Sequence, residues 1–254
     1  MGVVIGWLAI LAGGLVVTLT LTFFAAIFTI VWSTLLAIGN ISPLRPVRWL
    51  ASLYCDLFRS IPLLALIIFM YYGLGGVTAG LGISDFWLMV AALTLSESAY
   101  LAEIYRGGLL AIPQGQWEAA ESIGLGWWAA LRLVVLPQAL PPAVPSTLNM
   151  IIAAIKDSSL ASLIAVGEVT LVATTLVSET FEPMQIYIVL AVLYLAVIVP
   201  IALVTHRLET RLGIAQATRP VPGHLTRHYI EYRRAATSSP AGWCSLLNCA
   251  AGRE

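Results

Sequence analysis

Ionisable side chains inside apolar stretches are the residues of this chain that are best placed to do chemistry. Only 10% of the 254 residues are charged and 59% are hydrophobic, whereas a soluble domain carries about 25% charged residues. A charged group at membrane depth is costly and usually faces a cavity or a partner. Five such residues interrupt the apolar stretches: Glu97, Glu103, Arg106, Lys156 and Asp157. Their chemistry is the binding or the pairing of charged groups.

The two glutamates have different interpretations. Glu97 lies about halfway along its apolar stretch, between Ser96 and Ser98, a position that favours contact with a polar ligand. Glu103 and Arg106 are three residues apart, so on a helix they share a face and can neutralise each other.

A second polar group lies on a later apolar stretch and comprises Asn149, Lys156, Asp157, Ser158 and Ser159. Lys156 and Asp157 cannot face the same side of a straight helix because they are adjacent. We therefore expect the helix to break there or each residue to find a different partner.

Hydrolytic and metal chemistry are not indicated. Lys156 is the only lysine and follows the residues IIAAI rather than a G-x4-G loop, so the chain has no Walker A site. The histidines and cysteines form no catalytic or metal-ligand cluster; they are His206, His224, His228, Cys55, Cys244 and Cys249. We predict no catalytic residue, metal or cofactor in this chain, and the zero net charge gives no indication of a nucleic-acid partner.

The distribution of apolar residues predicts an all-α membrane protein with five transmembrane helices. The spans are placed at about 11–38, 59–78, 85–110, 138–164 and 184–206. Residues 45–59 form a charged segment that could lie along the membrane surface. We predict a transmembrane domain over residues 1–212 and a flexible cytoplasmic tail over residues 213–254, where prolines and arginines replace the apolar runs.

Arginine positions orient these spans. Arg45, Arg48 and Arg59 follow the first span, Arg106 and Arg132 lie near the connection between the third and fourth, and the other arginines follow the fifth. The alternate connections, 79–84 and 165–183, contain no lysine or arginine. The positive-inside rule then places the N-terminus outside, on the periplasmic side, and the C-terminus in the cytoplasm.

A polar, helix-prone insert occupies residues 113–137 on the predicted cytoplasmic side. Residues 118–123 are good helix formers, Gly124 permits a turn, and residues 127–135 form a second amphipathic pattern. Leu136-Pro137 is then expected to start a new direction. The pattern alone leaves two possibilities open: a docking element for a protein outside the bilayer, or an interfacial helix anchored by Trp127 and Trp128.

The insert and its neighbours resemble the permease subunits of ATP-binding-cassette (ABC) importers. Glu118-Ala119-Ala120 is similar to the start of the EAA loop of that family. The blocks that carry the rest of the resemblance are Arg59-Ser60-Ile61-Pro62, Leu136-Pro137-Gln138 and Lys156-Asp157-Ser158-Ser159. Their order and spacing are similar to those of the polar amino-acid branch, which takes up histidine, arginine, glutamine and glutamate. The likeness covers about residues 10–212 and implies the type I importer (MetI-like) fold in a bacterial inner membrane.

The resemblance implies that a separate ATPase drives this chain. The insert would be a coupling loop seated on a cytoplasmic ABC ATPase dimer that binds ATP and magnesium. The coupling residues implied are Glu118, Ala119, Ala120, Glu121, Gly124, Leu136 and Pro137. A second permease subunit, identical or homologous, an extracytoplasmic amino-acid-binding protein and membrane lipid complete the expected partners.

The resemblance also places the Lys-Asp-Ser-Ser segment near the translocation path. The candidate pathway residues are Glu97, Ser98, Asn149, Lys156, Asp157, Ser158 and Ser159. Lys156 and Glu97 could bind the carboxylate and the ammonium of the substrate, or they could pair with each other. The rival functional classes are an ion-gradient-driven secondary transporter or channel, which needs inverted repeats or more helices, and a membrane-embedded enzyme.

Overall fold

The computed structural model describes residues 2–212, and all regular structure in this range is helical. The helices are α1 (Gly2–Ile41), α2 (Arg45–Ser60), α3 (Leu63–Ile68), α4 (Gly75–Gly80), α5 (Asp85–Leu110), α6 (Gln114–Ser122), α7 (Trp127–Ala130), α8 (Leu136–Asp157), α9 (Val169–Thr180) and α10 (Pro183–Arg211). Two π-helical segments, Phe69–Gly73 and Leu131–Val135, extend α3 and join α7 to α8, and a 3-10 segment, Ser158–Ile164, follows α8. The predicted all-α fold is confirmed; the predicted tail lies outside the described residues.

Three helical segments are long and apolar enough to cross a membrane: Gly6–Ile41, Trp127–Ile164 and Pro183–Arg211. They contain the first, fourth and fifth predicted spans. Helix α5 matches the third predicted span, and its 26 residues extend about 39 Å at 1.5 Å per residue. The count of five spans and the orientation of the termini stay predictions.

The second predicted span, 59–78, is interrupted. Helix α2 ends at Ser60, Ile61 is extended (φ −93°, ψ 123°), and the chain turns by 98° before it continues as Leu63–Gly73. Pro62 causes the break, because its ring disfavours helical geometry at the residue before it. The helix beyond the bend spans only about 16 Å, about half of a bilayer core.

A second proline has the opposite outcome. Leu136-Pro137 does not start a new direction, because Trp127–Ile164 is one continuous candidate span. The π-helical turn at Leu131–Val135 directly precedes this pair. A wider turn gives the proline ring room and removes the need for its missing N–H. The predicted change of direction was therefore wrong.

Helix α1 is the central helix, and four buried clusters of the described residues include its side chains. It packs with α3 and α5 around Leu21 and Leu93 and with α9 and α10 around Leu11 and Ile186. Near its C-terminal end, Ala37 joins α5 and the insert. These contacts fix α5 and α8 side by side, where the polar residues of both helices meet.

Candidate functional site

An open cavity of about 700 Å³ lies between α5, α8 and the bend that joins α2 to α3. Its volume falls within the range of small-molecule sites, about 300–1,000 Å³. The bend contributes Arg59, Ser60, Ile61, Pro62 and Leu63; α5 contributes Ser96, Glu97, Tyr100, Glu103 and Ile104; α8 contributes Met150, Ala153 and Asp157. The Pro62 break is what brings the end of α2 to this cavity.

Two carboxyl groups meet in the cavity wall. Glu97 is only 7% exposed, and the half-buried Asp157 lies close enough to interact with it directly. Neither residue forms a salt bridge with a cation of the described chain, residues 2–212. Two carboxyl groups that meet where water is scarce repel each other when both are charged. A positively charged group of a ligand would relieve that repulsion.

Another part of the wall carries an ionic group that includes Arg59 and Glu103. Arg106 Nε donates to Glu103 Oε1 at 2.9 Å, which confirms the predicted pairing of these residues. Arg59 Nη1 lies 4.0 Å from Glu103 Oε2. The Tyr100 hydroxyl donates to the Arg59 carbonyl at 3.1 Å, and its ring lies 5.9 Å from the guanidinium. These contacts hold the end of α2 against α5.

The other predicted pathway residues are not among the residues that line the cavity. Ser98 is buried and lies 3.0 Å from the Tyr54 hydroxyl, and buried Ser158 donates to the Ile155 carbonyl at 2.7 Å. Asn149 and Lys156 are exposed, and Ser159 is half-buried. Lys156 and Glu97 form no ion pair with each other. The chain does not break after Lys156-Asp157, but the α-helix changes to a 3-10 helix at Ser158 within the continuous segment Trp127–Ile164.

Sequence reasoning missed Arg59, Tyr100 and Met150 as parts of this cavity. The sequence did contain an indication for Arg59, because Pro62 follows it closely and a proline after a helix predicts a bend. The direction of that bend depends on tertiary packing, and the sequence pattern does not contain it.

The insert folds as two helices around a glycine turn. Helix α6 ends at Ser122, and Gly124 adopts φ +83°. The Gly124 amide donates to the Glu121 carbonyl at 2.9 Å, and the Leu125 amide donates to the Ala120 carbonyl at 3.1 Å. This is the Schellman pattern, in which a left-handed glycine terminates the helix.

One side of the insert faces outward. Glu118, Ala119, Glu121 and Gly124 are exposed, and Ile123 is 75% exposed beside them. Sequence reasoning did not single out Ile123, because one exposed apolar residue carries no signal by itself.

The other side of the insert packs against the subunit. Ala120 is only 2% exposed, so it belongs to the inner side and not to the exposed surface. Leu136 packs against the cluster of α1 and α5, while Pro137 is exposed. Trp117 stacks on Trp127 with 6.2 Å between ring centroids. The insert is therefore rigidly attached to the membrane helices.

The family model and the individual relatives that this chain matches are all membrane components of transport systems. Residues 29–214 match the model of the binding-protein-dependent transport system inner membrane component. The chain is 35% identical to an L-cystine transport system permease protein of Bacillus subtilis, over 80% of this chain and 86% of that protein. It is 32% identical to a glutamate/aspartate import permease protein of Escherichia coli O157:H7, over 79% of this chain and 92% of that protein.

Solved structures give the same picture. A chain of an amino acid ABC transporter crystallised with histidines superposes with a TM-score of 0.74 at 32% identity, covering 82% of this chain and 96% of that one. A chain of the MetNI methionine ABC transporter in an inward-facing conformation superposes with a TM-score of 0.66 at 23% identity, covering 83% and 97%. The second likeness concerns the fold alone.

Proposed function

Because this chain belongs to the family of inner membrane components of binding-protein-dependent transport systems, we propose that it carries a polar amino acid inward through the Glu97–Asp157 cavity. The chain is the permease subunit of an ABC importer and a multi-pass protein of the inner membrane. It is not an enzyme, since a separate ATPase subunit hydrolyses ATP. This assignment replaces the ion-driven transporter and the membrane enzyme.

The acidic pair is the observation that carries the cargo proposal. An amino acid brings an ammonium group, which would bind to the carboxyl groups of Glu97 and Asp157, and a carboxylate, which would lie toward Arg59. Charge-assisted hydrogen bonds of this kind are about twice as strong as neutral ones. The permeases named above for cystine and for glutamate/aspartate transport agree with an amino-acid cargo.

Lys156 is proposed to contact the second permease subunit and not the substrate. It is exposed at the end of α8 and does not line the cavity of its own subunit. A lysine at membrane depth needs a partner, and a second permease subunit, identical or homologous, would supply one. Asn149, exposed on the same helix, belongs to the same proposed contact.

Uptake kinetics test the cavity. Asp157→Asn and Glu97→Gln each remove one charge without changing size, and loss of a charged hydrogen bond worth about 1.5–3 kcal/mol should raise KM about 10- to 150-fold. Glu179→Gln, an exposed acid on α9, is the matched control and should leave KM unchanged. Glu97→Lys should also reverse the preference between basic and acidic amino acids. Unchanged KM and unchanged preference in these variants would contradict the proposal.

The exposed side of the insert is the proposed ATPase contact. Glu118, Ala119, Glu121 and Gly124 present a small polar surface, and Ile123 adds an apolar anchor that a groove can bury. ATP and magnesium would bind to that partner, and no cofactor to this chain. Co-purification with a candidate ATPase tests the contact: Ile123→Asp should abolish it, whereas Ala111→Asp, another exposed position before α6, should not. Retention of the ATPase by the Ile123 variant would disprove the docking site.

The remaining partners follow from the family. An extracytoplasmic binding protein would deliver the amino acid to the outer end of the cavity, and two permease subunits would enclose the path. Size-exclusion with light scattering on a complex of the permease and its ATPase should give two copies of each.

A further inference from the structure

Helix α2 has three chemically distinct faces. At 100° per residue, Ala51 and Cys55 lie on one face, and both are buried, at 7% and 2% exposure. They pack with Leu36 of α1 and Ala102 of α5. This face attaches the helix to the rest of the subunit.

The second face of α2 is apolar and uncovered. Trp49, Leu50, Leu53 and Leu57 are between 47% and 63% exposed. On a helix these four positions fall within a sector of about 100°, away from the face that carries Ala51. Four large apolar side chains in one continuous row need a nonpolar neighbour.

The third face of α2 is polar. Its residues lie on the remaining sector, between the buried face and the apolar face; they are Arg45, Arg48, Ser52, Asp56 and Arg59. Arg59 is held by Glu103, whereas Arg45 and Arg48 form no salt bridge within residues 2–212. Arg48 Nη1 donates only to the Ser42 carbonyl, at 3.3 Å. The N-terminal half of α2 therefore carries two positive charges that no carboxylate of the described residues neutralises.

The direction of α2 explains why it needs three faces. Beyond the bend, Leu63, Ile67 and Met70 pack with Leu88–Leu93 of α5 in one cluster, so that segment runs along α5. Helix α2 makes an angle of 98° with it. With α5 crossing the bilayer as predicted, α2 would lie close to the membrane plane, beside the end of α1 that carries Leu36.

We propose that α2 is an interfacial helix that binds anionic phospholipid at the membrane surface. Its apolar row enters the acyl region beside the subunit, its polar face lies at the headgroups, and Arg45 and Arg48 contact the phosphate groups of anionic lipids. A high amphipathic contrast with arginine on the polar face is typical of helices that lie on a membrane. The uncompensated arginines complement the negative headgroups, and this charge match favours lipid over a protein contact.

Spin labels test the placement of the helix. In full-length protein whose three cysteines are replaced by serine, Leu53→Cys and Ser52→Cys place single labels on the apolar and polar faces, both at exposed positions. In liposomes of phosphatidylcholine and phosphatidylglycerol, the label at 53 should be relaxed by oxygen and not by a water-soluble nickel chelate. The label at 52 should show the opposite preference. Equal access of the chelate to both labels, or shielding of the label at 53 from both reagents by a protein, would overturn the proposal.

Lipid selectivity tests the arginines. Each arginine near an anionic surface contributes about 1 kcal/mol, which is about a fivefold change in affinity. Native mass spectrometry of the full chain with added phosphatidylglycerol should therefore show about 25-fold weaker binding in the double variant R45Q/R48Q. The control R207Q/R211Q removes two charges from the end of α10. Its affinity for phosphatidylglycerol at α2 should equal that of the unmodified chain. Equal losses in the two variants, or no loss in either, would refute the specific role of Arg45 and Arg48.

Discussion

The contact between α1 and the start of α9 predicts a large difference between two adjacent glycines. A Cβ atom on Gly14 would lie 2.8 Å from Val169 Cα and 3.0 Å from Val169 N, whereas a Cβ on Gly13 would meet nothing within 4 Å. Carbon atoms in favourable contact are about 3.5–4.0 Å apart. The clash is with backbone atoms, so no side-chain rotation relieves it.

The start of α9 cannot shift easily to accommodate Gly14→Ala. The Glu168 carboxylate accepts from the Thr170 and Leu171 amides, each at 2.9 Å, and the Val169 amide donates to Thr18 Oγ1 at 3.2 Å. Overpacking of a closed site costs about 1–3 kcal/mol. Both alanines gain about 1 kcal/mol from helix propensity, so the difference between the two variants equals the packing cost.

Thermal unfolding of the purified protein in detergent measures this difference. One kcal/mol corresponds to about 2–4 °C for a chain of this size, so Gly14→Ala should unfold on the order of 5 °C below Gly13→Ala. Equal Tm values for the two variants, or a higher value for Gly14→Ala, would show that α1 and α9 are not packed as described.

Two further substitutions test the insert and the cap of α9. Gly124→Ala places a side chain at φ +83° and should cost about 1–2 kcal/mol locally, so it should weaken co-purification of the ATPase. The control Gly126→Ala, at φ −69°, should not weaken it. Equal retention of the ATPase by both variants would contradict the turn geometry. Glu168→Ala removes both acceptors of the α9 N-cap and should lower stability by about 1–2 kcal/mol, measured as Tm in detergent. Exposed Glu182→Ala should have no comparable effect, and a Tm loss as large as that of Glu168→Ala would disprove the specific role of the cap.

The sequence predicted the long spans but misjudged both prolines that adjoin them. Hydropathy averages over a window, so residues 59–78 were expected to form one span although Pro62 divides them. Pro137 was expected to turn the chain, yet a π-helical turn absorbs it. The local preference of proline is the same in both places, and tertiary packing decides whether the helix bends or widens.

The residues of the cavity were only partly predictable from the sequence. The cost of burying charge identified Glu97 and Asp157 from the sequence alone. Whether Asp157 or Lys156 faces the cavity depends on the rotation of α8 about its axis, which the sequence pattern leaves open. Arg59 lines the cavity at the bend before Pro62, and the inward position of Ala120 likewise depends on how the insert packs against the membrane helices.

ATP-dependent uptake is the most direct test of the central claim. Proteoliposomes that contain this permease with its ATPase, supplied with the binding protein, should accumulate a labelled amino acid only when ATP is available to the ATPase, and ionophores that collapse ion gradients should have no effect. Accumulation without ATP that the ionophores abolish would contradict the account, since it would show that an ion gradient drives transport.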